Sequence, residues 1–333
     1  MKLALIGIGK IVQDVLDALT SVPGMTAYAF LARPASLARA QQLQQQYGVE
    51  KVYTDYQALL ADPEIEVIYL GIPNHLHFDF AEQALRAGKH VICEKPFTSN
   101  LAEAEQLIQL ARAQHCFLFD AVTAIHTPGF RWMQQQLPAL GTIRLVQGNY
   151  SQYSSRYDDF LSGKVQPAFD PAMSGGALYD INLYNVYVAC ALFGAPKKVE
   201  YRCNYGFNGI DVSGIVTLHY ADFIAVCCGA KDSDSPGHFT VQGTAGYVRI
   251  AGIPSVCQVA ELGLRRSEIT RFASPDGNRM VPEFTAFEDC IRRQDMAQCE
   301  AWQDLALIVA GVLESARHSA GIRFACDGDA VGQ

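Results

Sequence analysis

Charge is scarce in this chain. Only 18% of its 333 residues are Asp, Glu, Lys or Arg, the formal net charge is −8, and no long basic run occurs. A surface built to hold nucleic acid or an anionic membrane needs clustered positive charge, so neither is expected as a main partner. Also missing is any apolar run long enough to span a bilayer. The N-terminus passes straight into a strand-like stretch where a signal peptide would place a basic and then an apolar segment, so a cytoplasmic location is expected. The ten cysteines lack the paired spacing of metal ligands. Cys227 and Cys228 are adjacent, and strand neighbours point to opposite faces, which makes a poor chelate. Reduced, buried thiols and no metal site are expected. There is no internal repeat and no low-complexity segment; the glutamine-rich stretch Gln41–Gln46 keeps helical spacing.

What is present is apolar content, 50% of the residues, on a chain too long for one ordinary core. Two domains are the expectation, residues 1–121 and 122–333. The first part alternates strand and helix signals, the mark of a parallel sheet with crossover helices. Strands are read at Lys2–Ile6, Thr26–Leu31, Val67–Ile72, His90–Cys93 and Cys116–Ala121, within the six-stranded, helix-interleaved pattern that a complete dinucleotide-binding domain needs. Phe78–Ala87 reads as a helix with Gly88 as its left-handed stop. Asn100 and Glu103 have capping-box spacing ahead of another helix. Beyond Thr127-Pro128-Gly129 the pattern changes. Ile143–Tyr150 is a strand candidate, Gly175-Gly176 opens a helix ending at Gly194, and Val199 to about Arg271 reads as a mostly antiparallel sheet. A helical tail runs from Pro282 to about Ser319. The fold class is therefore α/β: an N-terminal Rossmann-type domain and a C-terminal α+β domain with a large, mostly antiparallel sheet.

Gly7-Ile8-Gly9-Lys10-Ile11-Val12 lies directly between a strand and a helix. Glycines there let backbone N–H groups and the helix N-terminus approach a pyrophosphate. The third position of the G-x-G-x-x-G pattern is Val12, a departure from Gly or Ala. Nucleotide enzymes that use NAD place an acid on the ribose about 20 residues past the glycines. Here no acid occurs between Asp17 and Glu50, and the second strand ends in Arg33, followed by Ser36 and Arg39. An arginine at that point suits a 2′-phosphate, so NADP is expected, with NAD as the alternative; a surface arginine at a helix start is the plainer reading.

Glu94-Lys95-Pro96 follows a buried strand, at the mouth of the sheet where open α/β folds bind ligands. A lysine there can exchange protons beside a cofactor; the alternative is a solvated pair in a turn stopped by proline. Ile72, Pro73 and Asn74 follow the strongest strand and fall near the middle of a bound dinucleotide, although Asn74 serves equally as an N-cap. His77 is placed with the cofactor-binding group, in a structural more than a catalytic part. In Gly175–Asn185, Asp180 and Tyr184 are four apart and share a helix face. An Asp on so apolar a helix needs a partner, which a backbone group or an arginine could supply. The functional reading has an acid and a phenol facing Lys95 across a cleft. His126, just after the expected domain junction, is a further candidate for substrate contact or for a structural part.

Gly7–Gly9, Gly71–His77 (GIPNHLH), Ala87–Pro96 (AGKHVICEKP) and Gly175–Tyr184 (GGALYDINLY) together resemble the glucose–fructose oxidoreductase/inositol dehydrogenase family, also written Gfo/Idh/MocA. The likeness covers nearly the whole chain. The family helix carries D-x-G-x-H; here Asp180-x-Asn182-x-Tyr184 puts tyrosine in place of histidine, as in the dimeric dihydrodiol dehydrogenase and NADP D-xylose dehydrogenase branch. The resemblance implies catalysis by Lys95, Asp180 and Tyr184. It implies a cofactor held by Gly7, Ile8, Gly9, Lys10, Ile11, Arg33, Ile72, Pro73, Asn74, His77, Glu94 and Lys95. It further implies hydride exchange between a nicotinamide and a carbinol of a sugar, polyol or cyclic diol, in a homodimer or dimer of dimers built through the second sheet. A dinucleotide-binding regulator without turnover is the alternative from a different class, and an enzyme that keeps and recycles its cofactor is a third.

Overall fold

The first strand, β1 (Lys2–Ile6), is apolar after its first residue and buried along nearly its whole length. A computed structural model, which describes residues 1–275 and 277–327, gives the chain two compact units. The first unit holds Met1–Thr98, Ala102–Ala121 and Gly277–Ala306. In it, α1 (Lys10–Leu19) lays Val12, Val15, Leu16 and Leu19 into the same core as Leu3 and Leu5 of β1, at the spacing that puts them on one side of a helix. There follow β2 (Thr26–Leu31), α2 (Leu37–Tyr47), β3 (Lys51–Tyr53), α3 (Tyr56–Leu60), β4 (Val67–Leu70), α4 (His77–Arg86), β5 (His90–Glu94), α5 (Leu101–Ala113) and β6 (Leu118–Ala121). All strand pairs are parallel, in the order β3-β2-β1-β4-β5-β6. The strand that the sequence pattern does not single out is β3, three half-buried residues long. Gly88 ends the α4 turn with φ +72°, as expected.

The order reverses between β1 and β4. One runs of the chain builds outward on one side of β1 and the next on the other, which leaves a crevice beyond the carboxyl ends of these two strands. The core beneath it is completed from far along the chain. The helix Val281–Arg292 sets Phe284, Phe287, Cys290 and Ile291 into the cluster that contains Leu3, Leu5 and Phe119. Phe287 stacks on Phe119 with ring centroids 4.5 Å apart. Assigning everything after residue 121 to the second domain therefore misplaces Gly277–Ala306. Apolar periodicity reveals that a helix has a buried side, but not which sheet buries it. The tail is also two helices, Val281–Arg292 and Met296–Ser319, separated at Gln294, which has φ +54°.

The second unit comprises Ser99–Leu101 and the described residues of 122–275 and 307–327. It contains α6 (Pro128–Gln136), β7 (Ile143–Ser151), α7 (Tyr157–Leu161) and α8 (Leu183–Phe193). Seven more strands follow, β8 (Lys198–Tyr205), β9 (Asp211–His219), β10 (Ile224–Ala230), β11 (His238–Gly243), β12 (Gly246–Ala251), β13 (Val259–Leu264) and β14 (Thr270–Ala273). They form one sheet, β14-β13-β12-β11-β7-β10-β9-β8, antiparallel except where β7 pairs with β10. Burial alternates along these strands. Val146, Ala225, Cys227, Phe239 and Val241 are fully covered, whereas Ile215 and Ile224 on the opposite face are 47% and 42% exposed. One face packs a core and the other is open, as an antiparallel sheet permits.

Candidate active site

The crevice of the first unit is a cavity of about 420 Å³. The turn after β1 contributes Gly7, Ile8 and Gly9, the end of β2 contributes Arg33 and Ser36, and the turn after β4 contributes Ile72 and Pro73. The two glycines are there for different reasons. Gly7 has φ +100°, and a Cβ on it would lie 2.6 Å from the Gly71 carbonyl oxygen, so the protein itself forbids a side chain. Gly9 has φ −70°, and a Cβ on it would meet no protein atom within 4 Å. Nothing internal requires glycine at position 9, yet it lines the cavity; the space it leaves is space for a ligand. Because α1 begins at Lys10, the unpaired N–H groups and positive end of that helix lie at the same turn. A dinucleotide pyrophosphate fits such a place.

Val12, the departure from the glycine pattern, is accommodated by its opposite number. A Cβ on Gly71 would come within 2.8 Å of Val12 Cγ2 and 3.0 Å of Tyr69 Cε1. The small residue that lets helix and strand approach has moved from α1 to the end of β4. Ile11 is half-buried against the same core, and Lys10 is exposed, its ammonium 3.0 Å from Asp14. Arg33 is exposed beside the cavity, whereas the Arg39 guanidinium is held by Gln13 and Gln42 at 3.2 and 3.4 Å. Asn74 opens a short 3₁₀ turn, Asn74–Leu76, and α4 starts at His77, so Asn74 is not the N-cap of that helix.

Lys95 follows the last residue of β5, next to a cis Lys95–Pro96 peptide. Its neighbours are fixed from behind. The Glu94 carboxylate is buried and accepts the Tyr69 phenol at 2.7 Å; burial pushes its pKa up, against the pull of that hydrogen bond and of Lys95. Both ring nitrogens of the buried His77 meet backbone oxygens, Pro96 at 2.9 Å and Ile72 at 3.0 Å. Burial lowers its pKa while these carbonyls raise it. The His77 ring thus lies between the loop that carries Lys95 and the loop that lines the cavity; while neutral it has one N–H, which donates to one of the two carbonyls according to the tautomer. His126 is likewise buried, with its pKa depressed to about 3 by burial and then by Arg131. A histidine so placed is neutral at physiological pH.

In the second unit, Asp180 lies in a wide π-type turn, Leu178–Asn182, where the Leu183 N–H reaches back to the Leu178 carbonyl, and α8 continues from it. Such turns recur at functional sites. The helix is docked on the sheet by two asparagines facing two glycines. Asn182 donates to the Cys227 carbonyl at 2.9 Å, and Asn185 donates to Cys228 O and to Asn182 Oδ1, both at 2.9 Å. A Cβ on Gly229 would lie 2.5 Å from Asn182 Cβ, and one on Gly148 would lie 2.6 Å from Asn185 Oδ1. The Leu178 N–H donates at 2.6 Å to buried Asp211, which also accepts the Tyr201 phenol at 2.7 Å. Tyr184 is buried, with its ring 5.8 Å from that of Tyr150. Asp180 pairs with Lys231 at 2.7 Å, a residue the sequence reading passes over. The expected partner of Asp180 was a backbone group or an arginine; the available signal was a lone lysine directly after an apolar strand, the same placement that marks Lys95.

Comparison with known proteins places this architecture. Residues 1–121 match the oxidoreductase family with an NAD-binding Rossmann fold, and residues 136–249 match the Gfo/Idh/MocA C-terminal domain. The chain is 33% identical to the scyllo-inositol 2-dehydrogenase (NADP(+)) IolU of Bacillus subtilis over 98% of this chain and 99% of that one. The chain belongs to the Gfo/Idh/MocA oxidoreductase family. The chain is also 26% identical to human trans-1,2-dihydrobenzene-1,2-diol dehydrogenase, over 98% of this chain and 99% of that one. The Gfo/Idh/MocA fold is shared with a levoglucosan dehydrogenase solved with NADH and levoglucosan, at TM-score 0.84 and 18% identity over 96% and 97% of the two chains.

The two glycines of the crevice separate ligand from fold. Gly9→Ala should leave the urea midpoint unchanged and weaken NADPH binding about tenfold or more. Gly7→Ala should lower the midpoint, by strain of about 1–3 kcal/mol. Unfolding curves and NADPH fluorescence titrations of the two variants check this.

Proposed function

We propose that the chain is an NADP-preferring dehydrogenase that oxidises a carbinol of a sugar, polyol or cyclic diol, or reduces the corresponding carbonyl. The observation that carries this reading is the ligand-sized crevice at the switch between β1 and β4, with Arg33 at one edge and the Lys95 loop tied to it through His77. The B. subtilis relative named for NADP and inositol supports the cofactor and the substrate class, and the dihydrodiol dehydrogenase supports the substrate class. Gly7, Ile8, Gly9, Lys10 and Ile11 form the pyrophosphate turn. Arg33 and Ser36 receive the 2′-phosphate, and Ile72, Pro73 and Asn74 border the cofactor. NAD is the alternative cofactor.

When bound, the nicotinamide supplies a C4 that accepts or returns hydride. The work of the protein is then to bind the substrate hydroxyl and manage its proton. The Lys95 ammonium binds that hydroxyl and stabilises the Tyr184 phenolate, which takes the proton as the carbonyl forms. A free phenol titrates near pH 10 and is little ionised at neutral pH, so the phenolate depends on the neighbouring ammonium. Asp180 accepts a second substrate hydroxyl, which favours vicinal diols and polyols over simple alcohols. A dinucleotide-binding regulator would need the crevice but none of these three side chains. Ten cysteines without a disulfide among the described residues fit a cytoplasmic setting, and no described helix is long and apolar enough to cross a membrane. The open sheet face, with Ile215 and Ile224 exposed, is the surface on which two copies would pair.

Three measurements bear on this. Titration should give tighter binding of NADPH than NADH, and Arg33→Ala should remove most of the difference, about tenfold. In a sugar and polyol panel with both cofactors, the parent protein should reduce NADP. Lys95→Met should lose turnover by about 10²-fold or more while still binding NADPH; near-normal turnover would remove Lys95 from the chemistry. Light scattering at micromolar concentration should give at least twice the chain mass, and a monomer mass would contradict the pairing.

A further inference from the structure

Lys231 is, with Arg317, one of two almost fully enclosed cations of the second unit that have a carboxylate partner among the described residues. It follows β10 directly, and its side chain is only 2% exposed. Its backbone is pinned on both sides, the N–H to Val212 O at 2.8 Å and the carbonyl to the Ser154 N–H at 2.9 Å. The ammonium is held from three directions. It donates to the Ala168 carbonyl at 2.8 Å, lies 4.2 Å above the centre of the buried Phe169 ring, and meets Asp180 Oδ2 at 2.7 Å. Asp180 is the partly exposed member of this pair, at 35%. A desolvated lysine with no freedom of its own, reaching a half-exposed carboxylate on a π turn, is a fixed post against which that carboxylate is set.

We propose that Lys231 is a positioning residue of the active site: it fixes Asp180 in one orientation, as an anionic acceptor for a substrate hydroxyl. The inference rests on the dehydrogenase reading above and deepens it, since it makes Asp180 a substrate-binding acceptor and not a proton donor. The other charged groups around the ammonium agree with this division. Asp211 on β9 feels the Lys231 charge, but its carboxylate is taken by the Leu178 N–H and the Tyr201 phenol. Asp232, the next residue, accepts the Ser213 hydroxyl at 2.9 Å. Asp180 is left as the carboxylate that Lys231 ion-pairs. Removing one member of a buried pair strands the other, whereas removing both is nearly neutral.

The test uses the polyol that the parent protein oxidises and compares Lys231→Met, Lys231→Arg, Asp180→Asn and the double variant Asp180→Asn/Lys231→Met. Lys231→Met should raise the polyol KM about tenfold or more, with a smaller fall in kcat and unchanged NADPH affinity. The acidic limb of its kcat/KM profile should move toward neutral pH, the direction in which a carboxylate moves on losing an adjacent positive charge. Lys231→Arg, which keeps the charge, should restore much of the KM. The double variant should match Asp180→Asn alone, because the lysine acts only through the aspartate. If Lys231→Met fails to fold, the double variant replaces it, since it leaves no stranded charge. An unaltered KM and pH profile in Lys231→Met, or a double variant much worse than Asp180→Asn, overturns the inference. A parent protein that oxidises no substrate overturns the dehydrogenase reading itself, and the inference with it.

Discussion

Where β1 and β4 part, there is no room for side chains. Gly7 sits against the Gly71 carbonyl, and Gly71 in turn sits against the Val12 and Tyr69 side chains, so neither glycine position has room for a Cβ. That contact sets the entry angle of α1 and hence the direction of its N-terminus. It also fixes the edge of the crevice, because Ile72 and Pro73 follow Gly71 immediately. The buried His77 ring then extends the constraint, wedged between the Ile72 and Pro96 carbonyls with its N–H donating to one of them. A lysine on a loop would ordinarily wander over several ångströms. Here the residue after Lys95 is tied to the wall of the cavity, which is how a surface residue type acquires a defined place. Buried Tyr69 contributes twice, once by packing beneath the glycine turn and once by donating its phenol to Glu94.

The second unit solves a related problem with different chemistry. An apolar helix lying on a sheet can slide, because apolar contacts do not specify register. Asn182 and Asn185 remove that freedom by bonding two successive carbonyls of β10, and Gly148 and Gly229 make the sheet thin enough for them to reach. Where the family pattern has glycine on the helix, this chain has Asn182, and the missing volume is found in the strand at Gly229. The same exchange occurs in the first unit between Val12 and Gly71. In both places the departure from a familiar motif is matched by a small residue on the facing element. Asp180 and Tyr184 are positioned by this docking, and Asp180 additionally by its pairing with Lys231.

Much of this was legible in the sequence because it rests on local periodicity and on glycine. The parallel strands, the turn at Gly7–Gly9 and the helix carrying Asp180 and Tyr184 all follow from patterns within a dozen residues. Three features did not. β3 is too short to show a period. The helix Val281–Arg292 has a clear apolar side, with Phe284 and Phe287, but its partner sheet lies nearly the whole chain away. Lys231 was not singled out, since burial of a lysine is decided by what covers it, here Ala168, Phe169 and Asp180. Of the two alternatives for Asn74, the N-cap falls, because a 3₁₀ turn delays the helix to His77. Local signals mark the turns and strand ends; long-range packing decides which residues support them.

The central claim is that these residues serve the transfer of hydride from a substrate carbinol to NADP. It is tested most directly by isotope. The polyol oxidised best in the panel is prepared with deuterium on its carbinol carbons and incubated with the protein and NADP in ordinary water, and the reduced cofactor is weighed by mass spectrometry. The account predicts one deuterium in each reduced cofactor, on one face of the nicotinamide. Reduced cofactor that carries only protium, or no cofactor reduction with any polyol, would contradict it.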